Sequence, residues 1–379
     1  MASSLILSEF DGLPYRSTLA KALGRTVDYV EVVPGSLRVL PQSTSCRILS
    51  STGDCFFVKR VLGSDQAQNR RLASIRGDLI SNRNELRFYV HNFPDRCGVM
   101  TPKALLATAG DCAPSTKAAR RAFFLDSILD HDLASGSVAP GIGRASTRDD
   151  EAELRRVGFV FILEDLGGPQ RYQRSPLTLP DVRRSLSALA QLHASTWGQR
   201  TLLRDAASAL HTHGGYWGSE KRGPNEVAQC HPNWAAFMAA FASRDVEFDA
   251  WCSTGEVRDL GARLAGAAEK VDRRMRVAWD SKHACLIHGD AKALNMFFDR
   301  GEPESTGHHG VTLIDFQWTG IGVGASDVAM HIAHACDATL LNELDYRGRT
   351  MELQLLELYH SELVRRGIAD YSLDALLQT

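Results

Sequence analysis

The sequence predicts an α+β chain with a small β-rich N-terminal part carrying one main helix and a larger, mostly helical C-terminal part. Three observations carry this. Short β-rich runs crowd the first 62 residues, one long segment of helical period follows them, and beyond residue 167 apolar positions recur at helical spacing. At 379 residues the chain is long for a single hydrophobic core, which favours two lobes.

Taken in order, "YVEVV" (29–33), "STSCRILS" (43–50) and "CFFVKRVL" (55–62) read as strands, and Ser51-Thr52-Gly53-Asp54 turns the last two into a hairpin. The segment from Asp78 to Asn92, apolar at 79, 80, 86, 89 and 90, reads as a helix that stops before Pro94. Residues 108–154, rich in Ala, Ser, Gly, Arg and Asp, read as a long surface insertion. "VGFVFILEDLGG" (157–168) is an apolar strand ending in acids and glycines, where a chain leaves one lobe for the next. The lobes are therefore expected at 1–166 and 167–379. In the second, helices are expected at 179–198, from Asn233 to Phe248, from Val257 to Trp279 and from Met351 to Arg365. Two short strands near 285–288 and 311–315 interrupt them.

Composition narrows the function. The chain is 44% hydrophobic and 23% charged with a formal net charge of −2, which calls for neither nucleic acid nor an anionic membrane as partner. The eight cysteines include no C-x-x-C pair, against a zinc ribbon or thioredoxin-type motif, and read as reduced core thiols. No apolar run reaches membrane-spanning length and the start of the chain does not read as a secretory signal, so a cytoplasmic location is expected, with organelle import left open.

The chemistry concentrates in "LIHGDAKALNMFF" (286–298), where His288, Asp290, Lys292 and Asn295 sit inside an apolar run. Burying such groups unpaired costs several kcal/mol, so they are bonded or functional. Asp315 follows in "VTLIDFQW", at the end of a strand. Two carboxylates and an amide suit Mg²⁺ and the activation of a hydroxyl, since hard oxygens hold that ion and a carboxylate accepts a proton. Lysine is scarce, eight residues against 35 arginines, yet one, Lys59, falls inside the apolar strand 55–62 and another, Lys292, two positions after Asp290. Phosphoryl transfer uses such a set.

The motifs "FFVKRV", "NELRFY", "FILEDLG", "LAQLHA", "HGDAKALN" and "LIDFQW" together resemble the protein-kinase-like fold in its small-molecule branch. That branch comprises aminoglycoside phosphotransferases, choline kinases and, most similar, ecdysteroid-kinase-like (CHK) proteins. The resemblance implies a two-lobed kinase that moves the γ-phosphoryl group of ATP, with Mg²⁺, to a hydroxyl of a small molecule such as a sterol-like compound, an amino alcohol or an antibiotic. By the same resemblance Asp290 is the catalytic base, Asn295 and Asp315 hold the metal, and Lys292 stabilises charge on the transferred group. Lys59 pairs with the nucleotide phosphates and is oriented by Glu85, while the backbone of Glu164, Asp165 and Leu166 forms the adenine-binding hinge. Trp318, Trp217, Trp234 and Trp251 fall where the branch builds its acceptor pocket, with Trp318 the leading candidate for contact.

Two departures stand out. Only Gly35 in "VVPGSLRV" represents a phosphate-covering glycine loop, and Gln317 occupies the place of the glycine in a protein kinase's Asp-Phe-Gly. Both are read as marks of the branch. A nucleotide-binding pseudokinase is the main alternative, opposed by the intact Lys59, Glu85, Asp290, Asn295 and Asp315. A protein kinase is disfavoured because only about ten residues separate Asp315 from the helix near Ser326, with no A-P-E. A two-metal phosphoesterase needs more His and Asp ligands than the motifs supply. Among the remaining polar residues, His288 is expected to brace its loop and His193 to pack between helices. "DVAMHIAHACD" is expected to be a helix capped by Ser326 or Asp327, with no metal on His331, His334 and Cys336, and His308-His309 to lie in a solvated loop.

Overall fold

The structure is a computed structural model that describes residues 15–40, 42–63, 72–111, 157–241, 246–301, 309–341 and 343–378. Residues 217–276 form one compact unit, and the described residues on either side of them form the other.

The larger unit begins with helix α1 (Tyr15–Leu23) and strands β1 (Val30–Val32), β2 (Arg38–Val39), β3 (Thr44–Ser50) and β4 (Cys55–Leu62). Helix α2 (Leu72–Val90) and strands β5 (Ala104–Asp111) and β6 (Val157–Glu164) follow. The strands make one antiparallel sheet in the order β1-β3-β4-β6-β5, with β2 paired to β3. The 43–62 hairpin is present as the sequence implied. In β3, Thr44, Cys46, Ile48 and Ser50 are buried and the residues between them are half-buried, the alternation of a strand with one face against a core. Every residue of β6 from Val157 to Leu163 is buried, because both sheet faces are covered. One face meets Leu19 of α1, which packs with Ile48, Val58 and Ile162. The other meets Ile75, Leu79 and Phe88 of α2, which pack with Val61, Phe159 and Phe161.

Two expectations are corrected here. Helix α2 starts six residues before Asp78. Residues 108–111 belong to β5, paired with Val160 through Val157, and an Ala- and Gly-rich strand gave too weak an alternation to be seen. The rest of the expected insertion, 112–154, lies outside the described residues.

The chain continues through β7 (Arg171–Tyr172), α3 (Leu179–Thr196) and α4 (Arg200–Ala209). Helix α3 starts with Pro180 in its first turn, as the fixed φ of proline favours, and buries Leu186, Leu189, Leu192 and His193.

The smaller unit contains α5 (Ser219–Ala228), α6 (Cys230–Phe241), α7 (Val246–Cys252) and α8 (Leu260–Met275). The expected helix from Asn233 to Phe248 is thus two helices, and residues 242–245 lie outside the described set. The one expected from Val257 to Trp279 is broken at Asp259 and ends where Arg276 turns extended (φ −80°, ψ 122°). Gly261 lets α6 approach α8, since a Cβ there would lie 2.6 Å from that of Trp234.

Back in the larger unit come β8 (Cys285–Ile287), β9 (Met296–Asp299), β10 (Val311–Leu313), β11 (Gly320–Gly322), α9 (Gly324–Ala335), α10 (Met351–Arg365) and α11 (Leu373–Gln378). The two expected short strands exist as β8, which pairs with β11, and β10, which pairs with β9. Among the described residues no helix is long and apolar enough to cross a membrane. Cys46, Cys97, Cys252 and Cys285 are buried, and burial pushes the Cys46 thiol up to about 11, as suits an inert core residue.

Candidate active site

The 286–298 stretch enters as β8, turns at Gly289 and leaves as β9. Gly289 has φ +80°, and a Cβ there would lie 2.2 Å from the carbonyl oxygen of Trp318, so only glycine fits. The turn is fastened from below by Asp327 of α9, whose carboxylate accepts the N–H of His288 (2.6 Å) and of Gly289 (2.8 Å). Asp327 Oδ2 also lies 3.2 Å from Nε2 of His193, whose Nδ1 lies 2.8 Å from the Tyr359 hydroxyl. Burial works against this carboxylate, but the His193 bond, the nearby His288 and the Gly289 amide together hold its pKa below the usual carboxylate value. Asp327 is therefore no helix cap. Both it and Ser326 lie inside α9, because the buried turn offers Asp327 two backbone donors that a cap position would not.

His288 braces the loop, as expected. Its Nε2–H donates to the Ile314 carbonyl (2.9 Å) and its Nδ1 accepts the Asp290 amide (3.3 Å). The Ile314 amide in turn donates to the Asn295 carbonyl at 3.0 Å, which stitches the loop to the residue before Asp315. Within the loop, Asn295 Nδ2 donates to the Asp290 carbonyl (2.8 Å) and to Asp290 Oδ2 (3.0 Å). Among the described residues no hydrogen bond reaches Asn295 Oδ1. Lys292 Nζ lies 2.7 Å from Asp290 Oδ2 and is 42% exposed, so the ammonium is held over the carboxylate yet open to solvent.

Lys59 projects from β4 toward Glu85 of α2 at 2.7 Å and toward Asp315 at 3.4 Å. Burial opposes its charge, but the two carboxylates outweigh it and raise the ammonium pKa, so the cation stands. Lys59, Glu85 and Asp315 thus form one bonded group and Asp290, Lys292 and Asn295 a second, and the Ile314 amide on the Asn295 carbonyl ties the loop of the second to the segment of the first. As a metal fit, Asp315, 31% exposed, and the unengaged Asn295 Oδ1 are hard oxygen donors of the kind that would suit a divalent cation.

At the end of β6 the acids at 164 and 165 are fixed by arginines. Asp165 Oδ2 accepts Arg47 Nε at 2.8 Å, and that bond together with the Gly167 amide keeps its pKa low against burial. Arg171 joins Glu164 (3.0 Å) to Asp299 (3.1 Å), tying the strand end to β9. Leu166 is buried.

Trp318 stacks on His211 (centroids 5.7 Å apart, 12°) and meets Tyr216 edge-on at 5.3 Å. The amide of Tyr216 donates to the Gly289 carbonyl at 2.9 Å, so this aromatic group flanks the loop that carries Asp290. Trp217, Trp234 and Trp251 belong to the other unit. Trp251 is 50% exposed there, against Trp234 and Phe248.

His331 is buried with Nδ1–H on the Ala291 carbonyl (2.7 Å) and Nε2 on Ser185 (2.6 Å), while His334 is exposed, so the two rings point apart. His309 is not simply solvated: its ring meets Arg366 and its carbonyl accepts Arg184. His308 lies outside the described residues. Sequence reasoning missed Asp327, Arg47, Arg171, Asn82, Asn84 and His211. Only the asparagines left a signal, since poor helix formers inside a helix invite a reason.

The sequence of residues 148–368 matches the ecdysteroid kinase-like family. None of the curated proteins is a match for the chain. Among solved structures, amicoumacin kinase hAmiN in complex with AMP-PNP, Ca²⁺ and Ami is similar at TM-score 0.43 and 10% identity, over 88% of this chain and 74% of that one. An aminoglycoside-3'-phosphotransferase of type VIII is similar at TM-score 0.40 and 17% identity, over 96% of each chain. Macrolide 2'-phosphotransferase MphH from Brachybacterium faecium follows at TM-score 0.37 and 13% identity, over 95% of this chain and 86% of that one. The family match covers more than half the sequence and includes the loop, the Asp315 segment and α3: the chain belongs to the ecdysteroid kinase-like family and is a phosphotransferase with an alcohol group as acceptor.

Proposed function

We propose that the protein transfers the γ-phosphoryl group of ATP to a hydroxyl of a small molecule, with residues 1–166 holding the nucleotide and 167–379 carrying the catalytic loop and acceptor side. The observation that carries this reading is the pair of bonded groups, Lys59 between Glu85 and Asp315 and Asp290 bonded to both Lys292 and Asn295, tied by the Ile314 amide on the Asn295 carbonyl.

Each residue has a separable task. Lys59, kept charged and oriented by Glu85, binds the α and β phosphates. Asn295 Oδ1 and the Asp315 carboxylate hold Mg²⁺, which when bound neutralises phosphate charge. Asp290 accepts the proton of the acceptor hydroxyl, and its two hydrogen bonds with Asn295 Nδ2 and Lys292 aim the carboxylate. Lys292, exposed on its far side, offsets charge on the phosphoryl group in flight. The backbone at Glu164, Asp165 and Leu166 receives adenine, with the acid side chains kept away by Arg171 and Arg47. Trp318 and Tyr216, beside Gly289, line the acceptor's approach.

The reading is tested by Asp290→Asn in an ADP-release assay with a panel of hydroxyl acceptors. Turnover is expected to fall by about 10²–10⁴-fold with nucleotide affinity unchanged. Normal turnover in the variant overturns the role of Asp290.

A further inference from the structure

Helix α2 carries two asparagines immediately before its functional glutamate. Asn82 and Asn84 are buried, 2% and 4% exposed, in a helix interior where asparagine is a poor choice. Both direct their side chains to the segment that follows Asp315. Asn84 Nδ2 donates to the Phe316 carbonyl (3.1 Å) and to the Thr319 carbonyl (2.9 Å), and its Oδ1 accepts the His211 amide (2.7 Å). Asn82 Oδ1 accepts Gln317 Nε2 at 2.6 Å, and the Gln317 carbonyl accepts His211 Nε2–H at 3.1 Å. One turn further along α2, Phe88 stacks on Phe316 with centroids 3.9 Å apart. The residue in the place of a kinase glycine is thus a working member of this contact.

Asp315 itself has φ 66° and ψ 64°, a left-handed conformation that a non-glycine residue keeps only where its surroundings enforce it. The residues after it are held from α2 and from the 211 loop. Separating α2 from this segment takes the Asn84 carboxamide away from the buried Thr319 carbonyl and from the Phe316 carbonyl, so intermediate positions are disfavoured.

We propose that Asn84, assisted by Asn82 and Gln317, is a positioning residue that locks the metal-holding segment to the helix bearing Glu85, so that Glu85 and Asp315 reach Lys59 together and the nucleotide site is assembled without an activating event. This rests on the kinase reading above.

The test is calorimetric titration of ADP into the full chain, once with excess Mg²⁺ and once in EDTA, for wild type, Asn84→Ala and Gln317→Ala, each well below its melting temperature. The readout is the ratio of the two dissociation constants, which a purely structural residue leaves alone even when it lowers the melting temperature. Asn84→Ala is expected to cut the Mg²⁺-dependent gain by about tenfold, with EDTA affinity kept within about twofold. Gln317→Ala, half-buried and tolerant of truncation, is expected to cut it about threefold, and carries the test if Asn84→Ala does not fold. Unchanged ratios in the folded variants overturn the inference and leave the kinase reading intact. No Mg²⁺-dependent binding in wild type overturns that reading and this inference with it.

Discussion

The two units treat the same residue types in opposite ways. In the larger one Phe88 and Phe316 stack with 0% exposure, while in the smaller one helix α6, "CHPNWAAFMAAF", buries none of its residues and leaves Phe237 at 43% exposure. A side chain locked by packing fixes its neighbours to tenths of an ångström, and the charged cluster around Lys59 and Asp315 stands on such elements. In α6 the aromatic rings pack on one another and on α8 at Gly261 but none is buried. The difference teaches that aromatic residues fixed by packing and aromatic residues left partly exposed are segregated along the chain.

That contrast breaks most visibly by mutation. Phe88→Ala is expected to destabilise the fold by about 3–5 kcal/mol, through lost burial and the cavity left against Phe316, as read by urea unfolding. A smaller effect should come from His331, whose burial lowers its pKa to about 4. The unfolded chain binds the proton near pH 6.5 and the folded one does not, so stability is full above that value and falls as pH drops toward 4. The loss amounts to roughly 3 kcal/mol across the window. Comparing His331→Gln with wild type from pH 4.5 to 7 should show a flatter slope in the variant, and identical slopes contradict the burial argument. The smallest effect is expected in the other unit. Phe237→Ser, which loses ring contacts with Trp234 and Phe241 but little burial, should change stability by about 1 kcal/mol. A loss above about 2 kcal/mol would show that α6 is packed as firmly as the larger unit and erase the contrast.

What the sequence revealed followed local rules. The 43–62 hairpin, α3 and the Asp290 loop were legible because alternation, a proline start and an acid-amide spacing are written within a few neighbouring residues. Helix α1, four residues of β5 and the break at Asp259 were not, because each depends on what packs against it. The same limit hid Asp327, which reads as a cap from its position yet serves two amides 38 and 39 positions away. Asn84 and its partners 232 and 235 positions distant were equally beyond a local reading. Gln317 looked like a departure from pattern until its bond to Asn82 supplied the reason.

The central claim, a nucleotide and metal site built on Lys59, Asn295 and Asp315, is most directly tested by thermal melts of wild type and Asp315→Ala with and without saturating Mg·ATP. Ligand at 100 times its dissociation constant adds about 2.7 kcal/mol to the native state, so wild type is predicted to melt several degrees higher and the variant to lose most of that rise. No rise in wild type, or the same rise in both proteins, would contradict the account.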